Sequence, residues 1–234
     1  MPLSEKHKYV KTLFSRISHR YDFMNSMMTL GLHNKWRRIA AVLASDSPIG
    51  KALDVATGTG DMAFELAAFE NFNEIVGVDF VPEMIQLAKQ KNTKLKIGKK
   101  MKFLEADAEA LPFNDDEFIC VTSSFNLRNV SDLKVALSEM IRVLKPGGKF
   151  ITLDILLLDN IFLRTFFRLY FNFIVPILGA LFARDRAAYT YLPSSVDAFL
   201  TPDELSKILK ELGLRNVGYK ALGLGTPVIH FGEK

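Results

Sequence analysis

A glycine turn and two acids give the middle of this chain its first chemistry. Leu53–Asp61 reads LDVATGTGD, with Gly58 and Gly60 two apart and Ala63 three further on. Glycines in such a turn take positive φ and let the backbone approach a ligand closely. An acid about 20 residues further along can hold ribose hydroxyls, and Asp79 stands there. Asp107-Ala108 adds a carboxylate that can accept from an amino group, beside a side chain small enough to leave room for a flat ring. Each feature also has a plainer reading. Gly-x-Gly turns arise by chance, Asp79 could be a helix-entry residue before Pro82, and Asp107 could be a turn acid. Together they predict a nucleotide-type ligand.

The elements around them fix where that ligand sits. Apolar runs predict strands over 51–56, 74–80, 102–106, 118–124 and 149–153. Helical spacing follows the first strand over 61–69, and Pro82 opens a helix to about Asn92 in the favoured first-turn position. Ser131 can cap a helix that runs to Leu144, which Pro146-Gly147-Gly148 then stops. This alternation implies a parallel sheet with helices on both faces. In such sheets ligands lie beyond the carboxyl ends of the strands, where the strand order switches. Residues 1–45 read as helices ahead of the first strand, and 155–200 as a helical insertion. Thr201 and Glu204 form a capping box for another helix, and 217–220 and 228–231 could be two last strands.

The 234 residues suit one large domain, and 49% apolar with 24% charged is ordinary for a soluble globular protein. The net charge of +4 hints at an anionic partner without naming one. Cys120 is the one cysteine, so no internal disulfide forms; its apolar surroundings predict a buried thiol. The N-terminal stretch has no apolar core of a secretory signal and is not an Arg/Ser-rich transit peptide. A cytoplasmic location is expected.

The glycine turn does not choose the cofactor. Gly58-x-Gly60-x-x-Ala63 fits nicotinamide dehydrogenases as well as S-adenosylmethionine enzymes. Asp54 inside the first strand, where dehydrogenases usually have apolar residues, and Arg142–Gly148 (RVLKPGG) argue for the latter. RVLKPGG with LDVATGTGD resembles class I S-adenosylmethionine-dependent methyltransferases. RYDFMN (20–25), GLHNKWRR (31–38), DAEALPF (107–113), SFNLRNV (124–130), AYTYLPSS (188–195) and the terminal HFGEK narrow this further. Over 14–234 the chain resembles the UbiE/MenG C-methyltransferases, which methylate the ring of ubiquinone and menaquinone precursors.

That resemblance implies a Rossmann-like α/β fold: a mostly parallel seven-stranded sheet with an N-terminal helical lid (1–45), a cofactor-binding core (46–154), an acceptor-covering insertion (155–200) and a C-terminal helix and strands (201–234), all in one domain. It places S-adenosylmethionine on Gly58, Thr59, Gly60, Asp79, Asp107, Ala108 and Ser124, with no metal. A polyprenyl quinol is the implied acceptor, because ionising a phenol makes the neighbouring ring carbon electron-rich. Arg128 and Asn129, just past the fourth strand, are candidates to stabilise phenolate charge. Their plainer roles are a backbone contact and a helix cap. Asp154 is a candidate general base or a structural acceptor. The family often reads LEFS where this chain has LDIL at 153–156, and FGLRN where it has FNLRN, so Asn126 could reshape the loop near the acceptor. Tyr21, His33, Tyr189 and Tyr191 are further polar candidates around the lid; His230 reads as a satisfied core histidine.

Phe162–Ala183 is Phe-rich, but its uncharged run from Leu169 to Ala183 is short for a span of about 20 residues. It reads as a buried core helix, a cover for a prenyl tail, or a peripheral membrane contact. Seven lysines between Lys89 and Lys102 (89, 91, 94, 96, 99, 100 and 102) read as a solvated face, with attraction to anionic lipid as the alternative. Nucleic acid is not expected, as no aromatics interleave with them. A homodimer is compatible with this reading. Competing hypotheses are a methyltransferase for another lipophilic molecule, a nicotinamide oxidoreductase, and a non-catalytic cofactor- or RNA-binding protein.

Overall fold

The strand β1, Gly50–Val55, shows why the sheet lies in the centre. Its side chains alternate between two apolar layers. Leu53 and Val55 face one core with Leu137, Met140, Leu205 and Leu209; Ala52 faces another with Ala40, Ala41, Met62, Leu66 and Ile85. A strand buried on both sides is what a parallel sheet covered by helices requires. The computed structural model describes residues 5–95, 100–156, 191, 194–223 and 226–234. Tyr189, Lys96, Lys99, the Phe-rich segment 162–183 and most of AYTYLPSS lie outside them.

Beyond β1 the strands are β2 (Phe72–Asp79), β3 (Lys100–Glu105), β4 (Phe118–Ser124), β5 (Leu144–Ile155), β6 (Arg215–Ala221) and β7 (Pro227–Glu233). They form one sheet in the order β3-β2-β1-β4-β5-β7-β6. β1 to β5 pair in parallel, and β7 runs antiparallel to both β5 and β6.

The helices are α1 (Glu5–Ile17), α2 (Tyr21–Thr29), α3 (Leu32–Ala44), α4 (Asp61–Leu66), α5 (Pro82–Leu95), α6 (Leu133–Arg142) and α7 (Pro202–Glu211). α3, α4 and α5 cover one face of the sheet and α6 and α7 the other. α1 and α2 form the lid expected of the N-terminus. Val10, Leu13 and Ile17 lie three and four apart on α1, and Leu13 and Ile17 pack with Met24, Met28, Ile155 and Val196 over the carboxyl ends of the strands.

Some boundaries differ from the sequence expectations. α4 ends at Leu66, before the expected Phe69. α6 is capped by Asp132, whose Oδ1 accepts from the amides of Lys134 and Val135; Ser131 instead donates its own amide to Glu109. α6 ends at Arg142, so Leu144 already belongs to β5. Pro146-Gly147-Gly148 therefore stops no helix. It is an irregularity within β5, where Phe118 pairs with Leu144 but Cys120 with Lys149. A Cβ on Gly148 would lie 2.9 Å from the Ile119 carbonyl oxygen, so the close backbone approach excludes a side chain. The Thr201–Glu204 capping box forms as expected.

Candidate active site

The strand order reverses between β1 and β4, which leaves a crevice beyond their carboxyl ends. Three cavities adjoin there. The middle one, of about 360 Å³, lies against Gly58, Asp79 and Ser124. A second, also about 360 Å³, lies against Asp107, Ala108 and His7. The third, about 730 Å³, is mostly apolar and lies against Phe14, Tyr21, His33, Phe125, Arg128 and Tyr191. Asn129 borders all three.

Backbone geometry brings these residues together. Ala56 and Phe125 follow β1 and β4 with φ of 54° and 59°, values that non-glycine residues rarely adopt. Such conformations gather at functional sites. The positive φ falls on Phe125 and not on Asn126, which borders the two smaller cavities.

Asp79 is buried, with Oδ2 accepting from the Gly58 amide at 2.9 Å and Oδ1 from the Val81 amide at 2.9 Å. It thus ties the glycine turn to β2, and each oxygen keeps a lone pair for a ligand. Burial raises Asp79 to about 6. The Ser124 hydroxyl is buried with no partner among the described residues and its residue borders the middle cavity. A buried orphan hydroxyl usually marks a ligand or water position. Asp107 Oδ1 accepts from the Glu109 amide at 3.0 Å, and Oδ2 lies 3.5 Å from His7 Nδ1. These groups fit an adenosine-bearing ligand.

The two other turn residues sit differently. The Thr59 hydroxyl donates to Asp22 at 2.6 Å and accepts from Lys91 Nζ at 2.8 Å, so its side chain is engaged behind the turn. Gly60 has φ of 92°, and a Cβ there would lie 2.9 Å from Phe64 and 3.2 Å from Phe103. Its glycine is demanded by the turn and by aromatic packing.

Asp54, the acid inside β1, supports the turn from below. It is fully buried, accepts from Thr57 at 2.6 Å and from Thr122 at 2.8 Å, and burial raises it to about 6. A folded-state value above the unfolded one means stability present below about pH 4 and lost as pH rises to about 6. Asp79 has the same sign in the same window, so a difference measurement isolates Asp54. The unsubstituted protein is expected to lose about 1–3 kcal/mol relative to Asp54→Asn between those pH values. Urea titrations of both proteins at several pH values measure this; a difference independent of pH would contradict it.

Arg128 and Asn129 depart from both of their plainer readings. The Arg128 guanidinium pairs with Asp154, with no backbone hydrogen bond from it and no partner for its Nε among the described residues. Asn129 caps no helix. Its amide donates to the Phe125 carbonyl at 3.3 Å, and its Oδ1 accepts from Tyr191 Oη at 3.2 Å. Asp154, 1% exposed, also accepts from the Ile155 amide at 2.8 Å and is not among the described residues bordering the large cavity. Burial raises its carboxyl against the pull of Arg128.

Several site residues were missed by their sequence context. Lys91 belongs to the lysine cluster but is half-buried and paired. It bridges Asp22 at 2.6 Å and Asp61 at 2.8 Å, and Asp61 also faces Arg37 at 3.4 Å. Burial opposes ionisation of Asp61, yet Arg37 and Lys91 hold it below the usual carboxylate range. The Arg37 guanidinium also lies 5.2 Å from the Phe125 ring centre. Lys100 and Lys102 pair with Glu74 at the sheet edge. Lys6 donates to the carbonyls of Arg128 and Val130, and His7 stands edge-on to Phe80, so α1 is tied down over the crevice. RVLKPGG contacts none of these cavities through the described residues; Arg142 binds Glu139, Asp115 and two carbonyls. His230 donates Nε2 to the Pro202 carbonyl, but its Nδ1 has no partner among the described residues. Cys120 is buried, as expected, and burial pushes its thiol up.

The seven-stranded sheet with this crevice defines a class I methyltransferase. Solved structures agree on the fold. A possible histamine N-methyltransferase from Thermotoga maritima aligns at a TM-score of 0.64 and 20% identity, over 96% of this chain and 99% of that one. A putative methyltransferase from Haloferax volcanii, in complex with the activator Trm112, aligns at 0.67 and 17%, over 94% and 96%. The chain belongs to the ubiE/COQ5 methyltransferase family, whose model matches residues 3–234. It is 42% identical over 233 residues to a demethylmenaquinone methyltransferase of Roseiflexus castenholzii, spanning 100% of this chain and 96% of that one. It is 37% identical to the ubiquinone/menaquinone biosynthesis C-methyltransferase UbiE of Geotalea daltonii, over 99% of each. The chain is an enzyme, and its cofactor is S-adenosylmethionine.

Proposed function

We propose that this protein methylates a ring carbon of a polyprenyl quinol, as in menaquinone or ubiquinone biosynthesis. The observation that carries the reading is the junction of the cavities: two smaller ones that carry the acids Asp79 and Asp107 adjoin a larger, mostly apolar one. The names of the relatives at 42% and 37% identity support the same acceptor class.

Bound in the two smaller cavities, S-adenosylmethionine supplies a methyl group already activated on a sulfonium. The chain's own task is then placement and charge. Asp79 would hold the ribose, Asp107 and Ala108 the adenine, and Ser124 a polar group of the cofactor. Gly58 lets the backbone approach; Thr59 and Gly60 keep the turn in shape from behind. Phe14, Tyr21 and Phe125 would fix the acceptor ring at the junction. Alignment of two reactants can contribute on the order of 7–11 kcal/mol. Arg128 presents a buried cation to the developing phenolate, and Asn129 joins the two binding regions. Asp154 would act through Arg128 by holding it in place.

Peripheral contact with a bilayer belongs to this proposal, because a polyprenyl tail confines the acceptor there. The exposed Phe23 of α2, Leu30 at its end and Leu32 at the start of α3 support it. No helix among the described residues is long and apolar enough to cross a membrane. Vesicle flotation measures this contact, and sedimentation measures a homodimer. The deciding assay combines purified protein, S-adenosylmethionine and either demethylmenaquinol or its benzoquinol counterpart. A new ring methyl on one of them is expected; if neither gains one while cofactor binds, the proposal fails.

A further inference from the structure

Transfer to a quinol carbon leaves one unmet need: something must accept the phenol proton as the ring attacks. Arg128 is a cation and accepts nothing. Tyr21 and Tyr191 are held protonated, since burial raises both. The Thr29 hydroxyl has spent its proton on the Asn25 carbonyl at 2.6 Å. Asn129 is engaged at both ends of its amide. Among the described residues bordering the large cavity, His33 remains.

Its tautomer follows from its partner. His33 Nδ1 lies 2.8 Å from the Thr29 hydroxyl oxygen. With its proton directed at the Asn25 carbonyl, that oxygen accepts from Nδ1, which then carries the hydrogen. Nε2 is then the nitrogen with the lone pair, and no hydrogen bond to it is made among the described residues. We infer that His33 Nε2 is the base that takes the phenol proton of the acceptor, with Thr29 and Asn25 fixing its tautomer.

Burial, with Arg37 close by, lowers His33 to about 4, so its lone pair is free at neutral pH. Asp61 and Asp22 face it with the opposite sign, and Lys91 with the same sign as Arg37. The step balances as follows. The phenol proton moves to Nε2 while the ring carbon bonds the methyl group; the carbon–sulfur bond breaks and its electron pair stays on sulfur. The methylated carbon then loses its hydrogen as a proton to water. Nε2 returns its proton to the oxygen, the ring is aromatic again, and one proton is released overall.

This inference rests on the quinol reading, and its test separates the two. The unsubstituted enzyme must first methylate a quinol; failure there overturns the function, not the role of His33. His33→Asn keeps a donor toward Thr29 and deletes Nε2. Its kcat is expected to fall on the order of 10²–10⁴-fold, with cofactor Kd by calorimetry unchanged. Its residual rate should climb with pH as solvent ionises the phenol, whereas the unsubstituted enzyme stays flat around neutrality. A merely structural histidine would lower both profiles in parallel, and that outcome overturns the inference. Histidine ¹⁵N spectra of the unsubstituted protein give an independent readout: Nε2 protonated at neutral pH would also overturn it. Should His33→Asn not fold, His33→Gln and the ¹⁵N spectra decide.

Discussion

Arg128→Met is expected to destabilise the fold by about 3–5 kcal/mol, because it strands a buried carboxylate. Asp154 is 1% exposed and Arg128 8%, so neither can turn to water for compensation. Only Asp154 Oδ1 has partners, Arg128 and the Ile155 amide; Oδ2 has none among the described residues. Removing the cation leaves that carboxyl with backbone amides alone. Arg128→Met combined with Asp154→Leu removes both charges, and a buried pair replaced by apolar groups is often neutral in stability. The double variant should therefore regain most of the lost stability in urea titrations. It should not regain methyl transfer, because the cation beside the acceptor is gone. Recovery of activity along with stability would show that Arg128 acts only as scaffold. No recovery of stability would show that the pair is not the source of the loss.

Asp79→Asn is expected to raise the cofactor Kd on the order of 10²-fold, since charge-assisted bonds to hydroxyls contribute about 1.5–3 kcal/mol each. Asparagine is the informative choice. Asparagine keeps one acceptor oxygen for the Gly58 and Val81 amides that Asp79 now satisfies; alanine would strand both and mix more folding into the binding measurement. Asp79 titrates at about 6 in the free protein. A ligand that needs the ionised form should bind more weakly as pH falls below that value, approaching tenfold per unit. Calorimetry across that range should show the slope in the unsubstituted protein and a flat line in Asp79→Asn. A slope in both would assign it to another group.

Much of this was legible in the sequence because the signals were local. Strand runs, the glycine turn and the Thr201–Glu204 box each depend on a few neighbouring residues, and the crevice follows from their order. Asp79, Asp107, Ala108 and Ser124 border the two smaller cavities of that crevice. The partners of the functional residues were not legible. Arg128 and Asp154 are 26 residues apart, Thr59 and Asp22 37, and Lys91 and Asp61 30. Lys91 reads like its neighbours because nothing local distinguishes a lysine that pairs with two distant acids. The tautomer of His33 likewise depends on a hydroxyl whose own proton is committed elsewhere.

The buried thiol of β4 has a practical consequence. Cys120 is the single cysteine of the chain, fully enclosed by the sheet, with its ionisation suppressed by burial. Maleimide dyes react with exposed thiolates, so the folded native chain is silent to them. One engineered cysteine, for example Tyr9→Cys on the exposed side of α1, becomes a unique labelling address without removal of the native one. A fluorophore there would report, in real time, any change in the surroundings of α1 when cofactor or acceptor is added.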